Sequence, residues 1–496
     1  MYDGSQPTPK LGKTIPIIED RRFTNLFKHV ERVPTLTYVI LLILIEIIAF
    51  YSVNGGTLHP ELEQYIPHYL SDRPILQKIY SADQVEIGSE YRPRPLSYLI
   101  DNYDVLFIGW CTGLGHPHFE SLSYFVFWTI DCFLCWFCFR NYFGLDRLNT
   151  AMLIGLFCTS PVVFFSCSYF RSAKPGAVCL MLIAFLLVRR TYTPEASTSL
   201  CPGRIAIDTA VFFTVLAACL FDEVPAAFAL ASLVMLAFEA YVGDNTVRRK
   251  AVRCIIPIGS ALLSFAIYDV FLHRVLIKHF TGHESSTQYQ SGLLSALIVR
   301  PVVHFLGTVS VLTEVVGFLI GGVSSALGLV MLLFLLKVWQ LSSGRIQIIR
   351  IQLATTLLFG ILFVMISRHP ALMSFTVRRG LYVLPFMVVL LIFVALSTDL
   401  IIRKHVLSKS VTALILGTMV VSNVTCLVRV LPSSADKSDP NKEYSQAMKV
   451  ALRFGKGITS DMKVGPTGEY FRRVEASPIY NSLHQVVVRR RSNSGR

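Results

Sequence analysis

The feature that most constrains this chain is a series of long apolar runs separated by short polar segments. Many runs are about 17 to 22 residues long, enough for a helix rising about 1.5 Å per residue to cross roughly 30 Å of hydrocarbon. Lipid offers the backbone no hydrogen-bond partners, so each run must satisfy its own amide groups as a helix. Hydrophobic residues make up 53% of the 496 residues and charged residues only 16%. That balance excludes a soluble globular domain.

The runs predict an all-α membrane protein, a polytopic bundle of about eleven transmembrane helices. The predicted spans are 34–53, 122–143, 151–170, 175–188, 205–220, 226–242, 254–272, 318–339, 352–366, 381–402 and 411–430. The stretch 293–316 is apolar but contains Arg300, His304 and Glu314. Two conformations are compatible with this stretch, a re-entrant helix and a tilted helix.

Lysine and arginine predict the orientation, because short basic loops stay on the cytoplasmic side of a membrane. Basic residues are more frequent in the segments that lie inside when the N-terminus is cytoplasmic. We therefore expect a cytoplasmic segment 1–33, a transmembrane domain 34–430 with a long external loop 54–121, and a polar tail 431–496 outside. The polar start predicts that the first span is an anchor and not a cleaved signal peptide.

The tail is a separate small element by composition. We expect an α+β unit or partial disorder, with a β-like stretch at 485–488. The basic run Arg489, Arg490 and Arg491 argues mildly against an external tail.

Charge and cysteine content predict neither nucleic-acid binding nor a metal centre. The net charge of +14 mostly reflects cytoplasmic loops and the tail, and no basic, aromatic-interleaved groove accompanies it. The cysteines lie almost wholly within predicted spans, where they are typical of small packing residues. Cys132, Cys135 and Cys138 have a ligand-like spacing, but no histidine is near them, so we expect no metal site there.

The external loop 54–121 is much longer than a simple connection requires. Segments 60–70 and 95–110 have helical periodicity and predict amphipathic helices along the membrane surface. Acids such as Glu61 and Asp83, with the arginines Arg92 and Arg94, suit a site for a lipid head group. A solvated loop that only packs on the bundle is the alternative.

Two further groups of charges are predicted on the outer face. Asp222 and Glu223 separate two apolar runs, where carboxylates are costly unless they reach water or a partner, although they could be an ordinary helix-end pair. The second group is basic, and it comprises Arg171, Lys174, Arg378 and Arg379. An arginine pair can bind a phosphate at two points, with head-group snorkelling as the alternative.

Acids within predicted spans leave a transport function open. They are Glu46, Asp131, Glu239, Asp269 and Glu314. Such residues can relay protons or ions, though each is more often one hydrogen-bond partner between helices. No internal repeat supports alternating access.

Layout and motifs together resemble the GT-C class of membrane glycosyltransferases. The stretch 90–98, Glu-Tyr-Arg-Pro-Arg-Pro-Leu-Ser-Tyr, resembles the Ser-Tyr-Arg-Pro-Leu loop motif of transmembrane O-mannosyltransferases and related bacterial proteins, with an extra Arg-Pro. Asp222 and Glu223 stand where those proteins have Lys-Glu, and 379–385 resembles their Arg-x-x-Tyr-x-x-Pro region. In that class the catalytic base is usually an acidic residue just after the first span, often an aspartate or a pair of them, whereas Glu61 is the nearest carboxylate here.

The resemblance implies transfer of a sugar from a polyprenyl-phosphate donor to an acceptor outside the cytoplasm, in a plasma (inner) membrane of bacterial type. Membrane lipids are then its surroundings and the lipid-linked sugar its substrate. A carboxylate would accept the proton of the acceptor hydroxyl, while arginines or a divalent metal ion stabilise the departing phosphate.

The candidate catalytic residues are Asp222, Glu223, Glu61 and Asp83. The candidate substrate-binding residues are Tyr91, Arg92, Arg94, Arg171, Lys174, Arg378, Arg379 and Tyr382. The alternative functions are a transporter or flippase for a lipid-linked or anionic substrate and, third, a scaffold without catalysis.

Overall fold

A computed structural model describes most of the chain beyond residue 61. The described ranges are 62–82, 92–119, 121–161, 173–191, 202–282, 301–319, 344–368, 380–403, 407–434, 440–454, 458–464 and 468–494, with a few single positions besides. Every regular element in these ranges is helical. The all-α prediction is therefore confirmed for the described residues.

Three helices form the described part of the loop between the first two predicted spans. They are α1 (Leu62–Leu70), α2 (Ile75–Tyr80) and α3 (Pro95–Gly113). Proline at the first position of α3 is favourable, because that position needs no backbone donor and proline already has a helical φ. Helices α1 and α3 therefore occupy the two loop segments, 60–70 and 95–110, whose sequences have helical periodicity. Helix α2 is too short for its sequence to show that periodicity.

The bundle helices follow in chain order. They are α4 (Leu122–Phe137), α5 (Arg147–Thr159), α6 (Ala173–Thr191), α7 (Pro202–Phe221), α8 (Val224–Val242), α9 (Asn245–Ile267), α10 (His273–Thr281), α11 (Pro301–Leu319), α12 (Arg345–Arg368), α13 (Gly380–Arg403) and α14 (Lys409–Ser434). Turns of π-helix at Cys138–Tyr142 and Tyr268–Leu272 extend α4 and join α9 to α10.

Within the described residues, six helices are long and apolar enough to cross a membrane. They are Leu122–Tyr142, Val224–Val242, Asn245–Thr281, Ile346–Ile366, Leu384–Arg403 and Lys409–Leu427. Two shorter apolar helices, Ile205–Phe221 and Val302–Gly317, accompany them. The chain is thus a multi-pass protein embedded in a membrane. Of the other predicted spans, 34–53 and 318–339 lie almost wholly outside the described residues.

Ion pairs at one end of the bundle tie the spans together. Arg253 of α9 contacts Asp208 of α7 at 3.0 Å, and Arg350 of α12 contacts Glu239 of α8 at 2.6 Å. The loop helices pack at the opposite end, which we call the loop end. There α2, α3 and α10 share a small apolar cluster that contains Tyr98 and Ile277.

The tail is helical and packs on the loop helices. Its helices are α15 (Pro440–Phe454), α16 (Gly468–Glu475) and α17 (Pro478–Ser494), with a 3-10 turn at Ser460–Lys463. The predicted β-like stretch 485–488 is wrong, because it belongs to α17. Leu483 and Val487 are buried one helical turn apart, so the apolar pattern follows the helical period.

One apolar core joins the tail to α1 and α3, and we call these five helices the outer module. Its buried side chains are Leu62, Tyr65, Ile66, Tyr69, Val105, Ile108, Phe119, Tyr444, Ala447, Met448, Ala451, Leu452, Val474, Ile479, Tyr480 and Leu483. The tail and the loop therefore lie at the same end of the bundle.

This arrangement predicts opposite accessibility for two exposed asparagines. Asn481 lies on α17 in the outer module, whereas Asn245 begins α9 at the other end of the bundle. In intact cells, a membrane-impermeant maleimide should label Asn481→Cys and spare Asn245→Cys if the loop end is external. Wild-type protein measures the background from native cysteines. Labelling of both variants from one side would contradict the fold.

Candidate functional site

A buried ion pair lies at the loop end. Lys174 is in the first turn of α6, and its Nζ donates a hydrogen bond of 2.6 Å to Oδ1 of Asp222. The two side chains are only 9% and 2% exposed. Removing two charges from water is costly, and mutual attraction offsets the cost only with close contact and further hydrogen bonds.

Asp222 meets that requirement through the turn between α7 and α8. Its Oδ1 also accepts a hydrogen bond of 3.0 Å from the backbone N–H of Val224, the first residue of α8. Pro225 follows at the second position of that helix, where no intrahelical donor is needed. Asp222 thus joins the turn to α6, while Glu223 remains half-buried beside it.

A glycine allows α6 to approach this turn. A Cβ built on Gly176 would lie 2.6 Å from a ring carbon of Phe221, the last residue of α7. That separation is far below van der Waals contact, so only glycine leaves the ring in place. Phe221 also packs edge-on against Phe127 of α4. The residue next to Asp222 is therefore held from two sides.

Arg94 brings a second positive charge from the loop that contains α1 to α3. It immediately precedes α3, is only 7% exposed, and its guanidinium lies 5.5 Å from the ring centre of Tyr98. Its charge acts on both Lys174 and Asp222, and Glu223 acts on Lys174. Arg94 and Glu223, which the sequence also singled out, therefore lie within electrostatic range of the pair formed by Lys174 and Asp222. We call these four residues the charged cluster.

The surroundings of Asp222 keep its carboxyl ionised. Burial by itself would raise the pKa of Asp222, but the positive charges of Lys174 and Arg94, with hydrogen bonds from Lys174 and Val224, hold it below its ordinary value. The contribution of this group to stability is therefore complete above the ordinary pKa of about 4. It is lost as the pH falls through the lower folded-state value.

The face of α3 that points into the protein is polar near its start. Ser97, Asp101 and Asn102 are at most 2% exposed, and Asp104 is 3% exposed. Asp104 accepts hydrogen bonds from the hydroxyls of Ser121 and Ser123 at 2.6 and 2.5 Å, at the beginning of α4. Burial raises the pKa of Asp104, against hydrogen bonds that favour its charged form. Asp104 therefore joins α3 to α4.

Sequence reasoning did not single out Asp101 as a site residue, although it is fully buried on the same helix face as Tyr98 and close in sequence to Arg94. The available signal was the spacing of three and four residues between Arg94, Tyr98 and Asp101, which aligns them on one face of the predicted helix.

Several predicted site residues are outside the described residues. These are Glu61, Asp83, Tyr91, Arg171, Arg378 and Arg379, together with the side chain of Tyr382 in the first turn of α13. Arg92 is described and half-buried, and its backbone N–H faces the hydroxyl of Tyr98 at 3.4 Å. Within the described part of the chain, no group of three or more histidine, cysteine, aspartate or glutamate side chains is placed to hold a metal ion.

An apolar cavity begins one helical turn from the charged cluster. Its volume is about 450 Å³, and its wall includes Val178, four residues after Lys174, and Ala218, four residues before Asp222. The wall continues between the spans past Phe185 and Leu357 and includes Pro385 of α13. Ser232 is the single polar residue of this lining. The space therefore suits a hydrocarbon chain whose polar end reaches the charged cluster.

Comparison with protein-family models, with curated proteins and with solved structures finds no match to this chain.

The ion pair predicts strong coupling between Lys174 and Asp222. Lys174→Met or Asp222→Leu alone leaves one buried charge without its partner, which should destabilise the protein by about 3 to 5 kcal/mol. The double variant removes both charges and should lose much less. Thermal unfolding in detergent across this double-mutant cycle measures the coupling, and additive losses would show that the pair is not formed.

Close packing at Gly176 predicts that one added methyl group is destabilising. Gly176→Ala should displace Phe221 and lower the free energy of unfolding by about 1 to 3 kcal/mol. Gly259→Ala is the matched control, because Gly259 is also in a helix and a Cβ built there meets no atom within 4 Å. The control should be neutral or stabilising by about 0.4 to 1 kcal/mol. Equal effects of both changes would contradict the packing.

Proposed function

We propose that this protein is a GT-C-like membrane glycosyltransferase of about eleven spans in a plasma (inner) membrane. It moves a sugar from a polyprenyl-phosphate donor to an acceptor on the side where the loop and tail lie. The observation that carries the proposal is the position of the charged cluster, with Lys174 and Asp222 each one helical turn from a residue of the cavity wall. A polyprenyl phosphate has the matching composition, a hydrocarbon chain ending in an anionic head.

The charged cluster alone has no net charge, so binding of an anionic ligand requires further arginines. Among Arg94, Lys174, Asp222 and Glu223 the two positive and two negative charges cancel. Arg171 is three residues before Lys174, and Arg378 and Arg379 immediately precede α13, a helix that lines the cavity. In the proposal these arginines provide the net positive charge that binds the phosphate.

The carboxylates have different roles in the proposed reaction. Asp222 is held by Lys174 and by a backbone N–H, so it positions the lysine and is a weak base. Glu223 is half-buried, and we assign it as the general base. Glu61 and Asp83 remain further candidates from the sequence.

The proposed chemistry is one displacement at the anomeric carbon of the sugar. The acceptor oxygen forms a bond to this carbon while its proton passes to Glu223. The bond from carbon to phosphate oxygen breaks, and its electron pair leaves with the phosphate. Arg94 and the other arginines stabilise the charge that develops on that oxygen. A divalent metal ion, were one bound there, would supply the same stabilisation.

A transporter or flippase for a lipid-linked or anionic substrate is the second candidate, and Asp131 favours it. This residue is in the spanning helix α4, it is 1% exposed, and neither carboxyl oxygen has a hydrogen-bond partner among the residues that the structure describes. An intramembrane carboxyl of this kind is a common element of proton-coupled transport. A lipid flippase would use the same cavity and cluster without sugar transfer.

Two amide variants separate these functions. In purified protein given a polyprenyl-phosphate sugar and candidate acceptors, Glu223→Gln should lower sugar transfer by about 10² or more, because the base is lost. Asp131→Asn, a matched change in a span, should leave transfer intact. Mass spectrometry of the purified protein tests for bound polyprenyl phosphate. Lipid binding and flipping that depend on Asp131, without any sugar transfer, would overturn the transferase and favour the transporter.

A further inference from the structure

Helix α3 has an exposed apolar face that the proposed reaction does not use. Tyr103, Leu106, Trp110 and Leu114 are 54%, 44%, 55% and 43% exposed, respectively. Their spacing of three or four residues places them along one side of the helix and its C-terminal cap, and we call them the α3 stripe. The opposite side of α3 is buried in the outer module and against the bundle. The stripe therefore has no cover from the described residues.

The chain holds the end of this stripe close to the membrane. Only eight residues separate the end of α3 from the start of α4, a spanning helix. Asp104 of α3 fixes this connection through Ser121, the N-cap of α4, and Ser123. Tryptophan and tyrosine beside a spanning segment are typical of the boundary between lipid and water.

A basic edge borders the stripe. Arg490 of α17 donates a hydrogen bond of 3.4 Å to the carbonyl of Trp110, and its side chain also packs over Gly113. Next to it Arg489 contacts Asp72 at 3.3 Å, but both are so exposed that the pair adds little. Arg491 and Arg73 are exposed as well. Asp72 is the acidic partner described at this edge, and we call the four arginines the basic edge.

We propose that the α3 stripe and the basic edge together bind anionic phospholipid in the leaflet at the loop end. The aromatic and aliphatic side chains enter the boundary between head groups and acyl chains, and the arginines contact the phosphates. Charge complementarity favours an anionic lipid over a zwitterionic one, since every basic residue near such a surface adds attraction. The stripe supplies apolar contact with lipid, and this contact persists at high salt. The tail thereby becomes part of a membrane-binding surface.

The test uses full-length protein in nanodiscs and the fluorescence of Trp110. The chain has four tryptophans, so the difference between wild type and Trp110→Phe isolates its signal. Lipids brominated near the top of the acyl chain quench only fluorophores in contact with them. We expect strong quenching of Trp110, with anionic brominated lipid at least about threefold more effective than zwitterionic lipid at equal fraction.

Two variants test the role of charge. The triple change Arg489→Gln, Arg490→Gln and Arg491→Gln should abolish the anionic preference while quenching persists. Arg453→Gln, which removes one exposed charge from α15, is the control and should leave the preference unchanged. Equal quenching by both lipids in wild type would overturn the anionic specificity. An unquenched, water-like Trp110 would overturn the lipid site, and cross-linking of Leu106→Cys between two copies would then assign the stripe to self-association.

Discussion

The buried ion pair between Lys174 and Asp222 is the interaction on which the site depends. At this depth each charge is tolerable only because the other lies 2.6 Å away and a backbone N–H completes the contact. The pair fixes α6 against the turn between α7 and α8. These same helices form much of the cavity wall, so the contact that orders the charges also sets the shape of the apolar space.

Charge and hydrocarbon volume are therefore coupled in this fold. Val178 and Ala218 line the cavity one helical turn from the paired residues. Between Lys174 and Val178 on α6, Gly176 leaves the room in which the ring of Phe221 packs. A ligand with a hydrocarbon chain would contact the same helices whose ends carry the charges. This physical connection is the reason to assign one amphipathic ligand to both parts.

Much of the helical architecture was predictable because lipid imposes length and self-contained hydrogen bonding on each span. Asp222 and Lys174 were also recognisable, since charges between apolar runs require a partner. Their partnership was not, because 48 residues separate them and no local period relates them. The cavity had no linear signal at all, because six helices contribute its wall. At 485–488 three consecutive valines predicted a strand, but burial of Leu483 and Val487 in the outer module favoured a helix.

Helix α3 connects the membrane surface to the charged cluster. Its first residue follows Arg94, its middle is joined to α4 by Asp104, and its far end presents Trp110 beside the basic tail. A rigid helix transmits a displacement at one end to the other, because its backbone hydrogen bonds resist bending. If lipid holds the α3 stripe at the surface, it also holds Arg94 at its depth near Lys174 and Asp222. The tail, although distant in sequence from every charged-cluster residue, then contributes to the position of one of them.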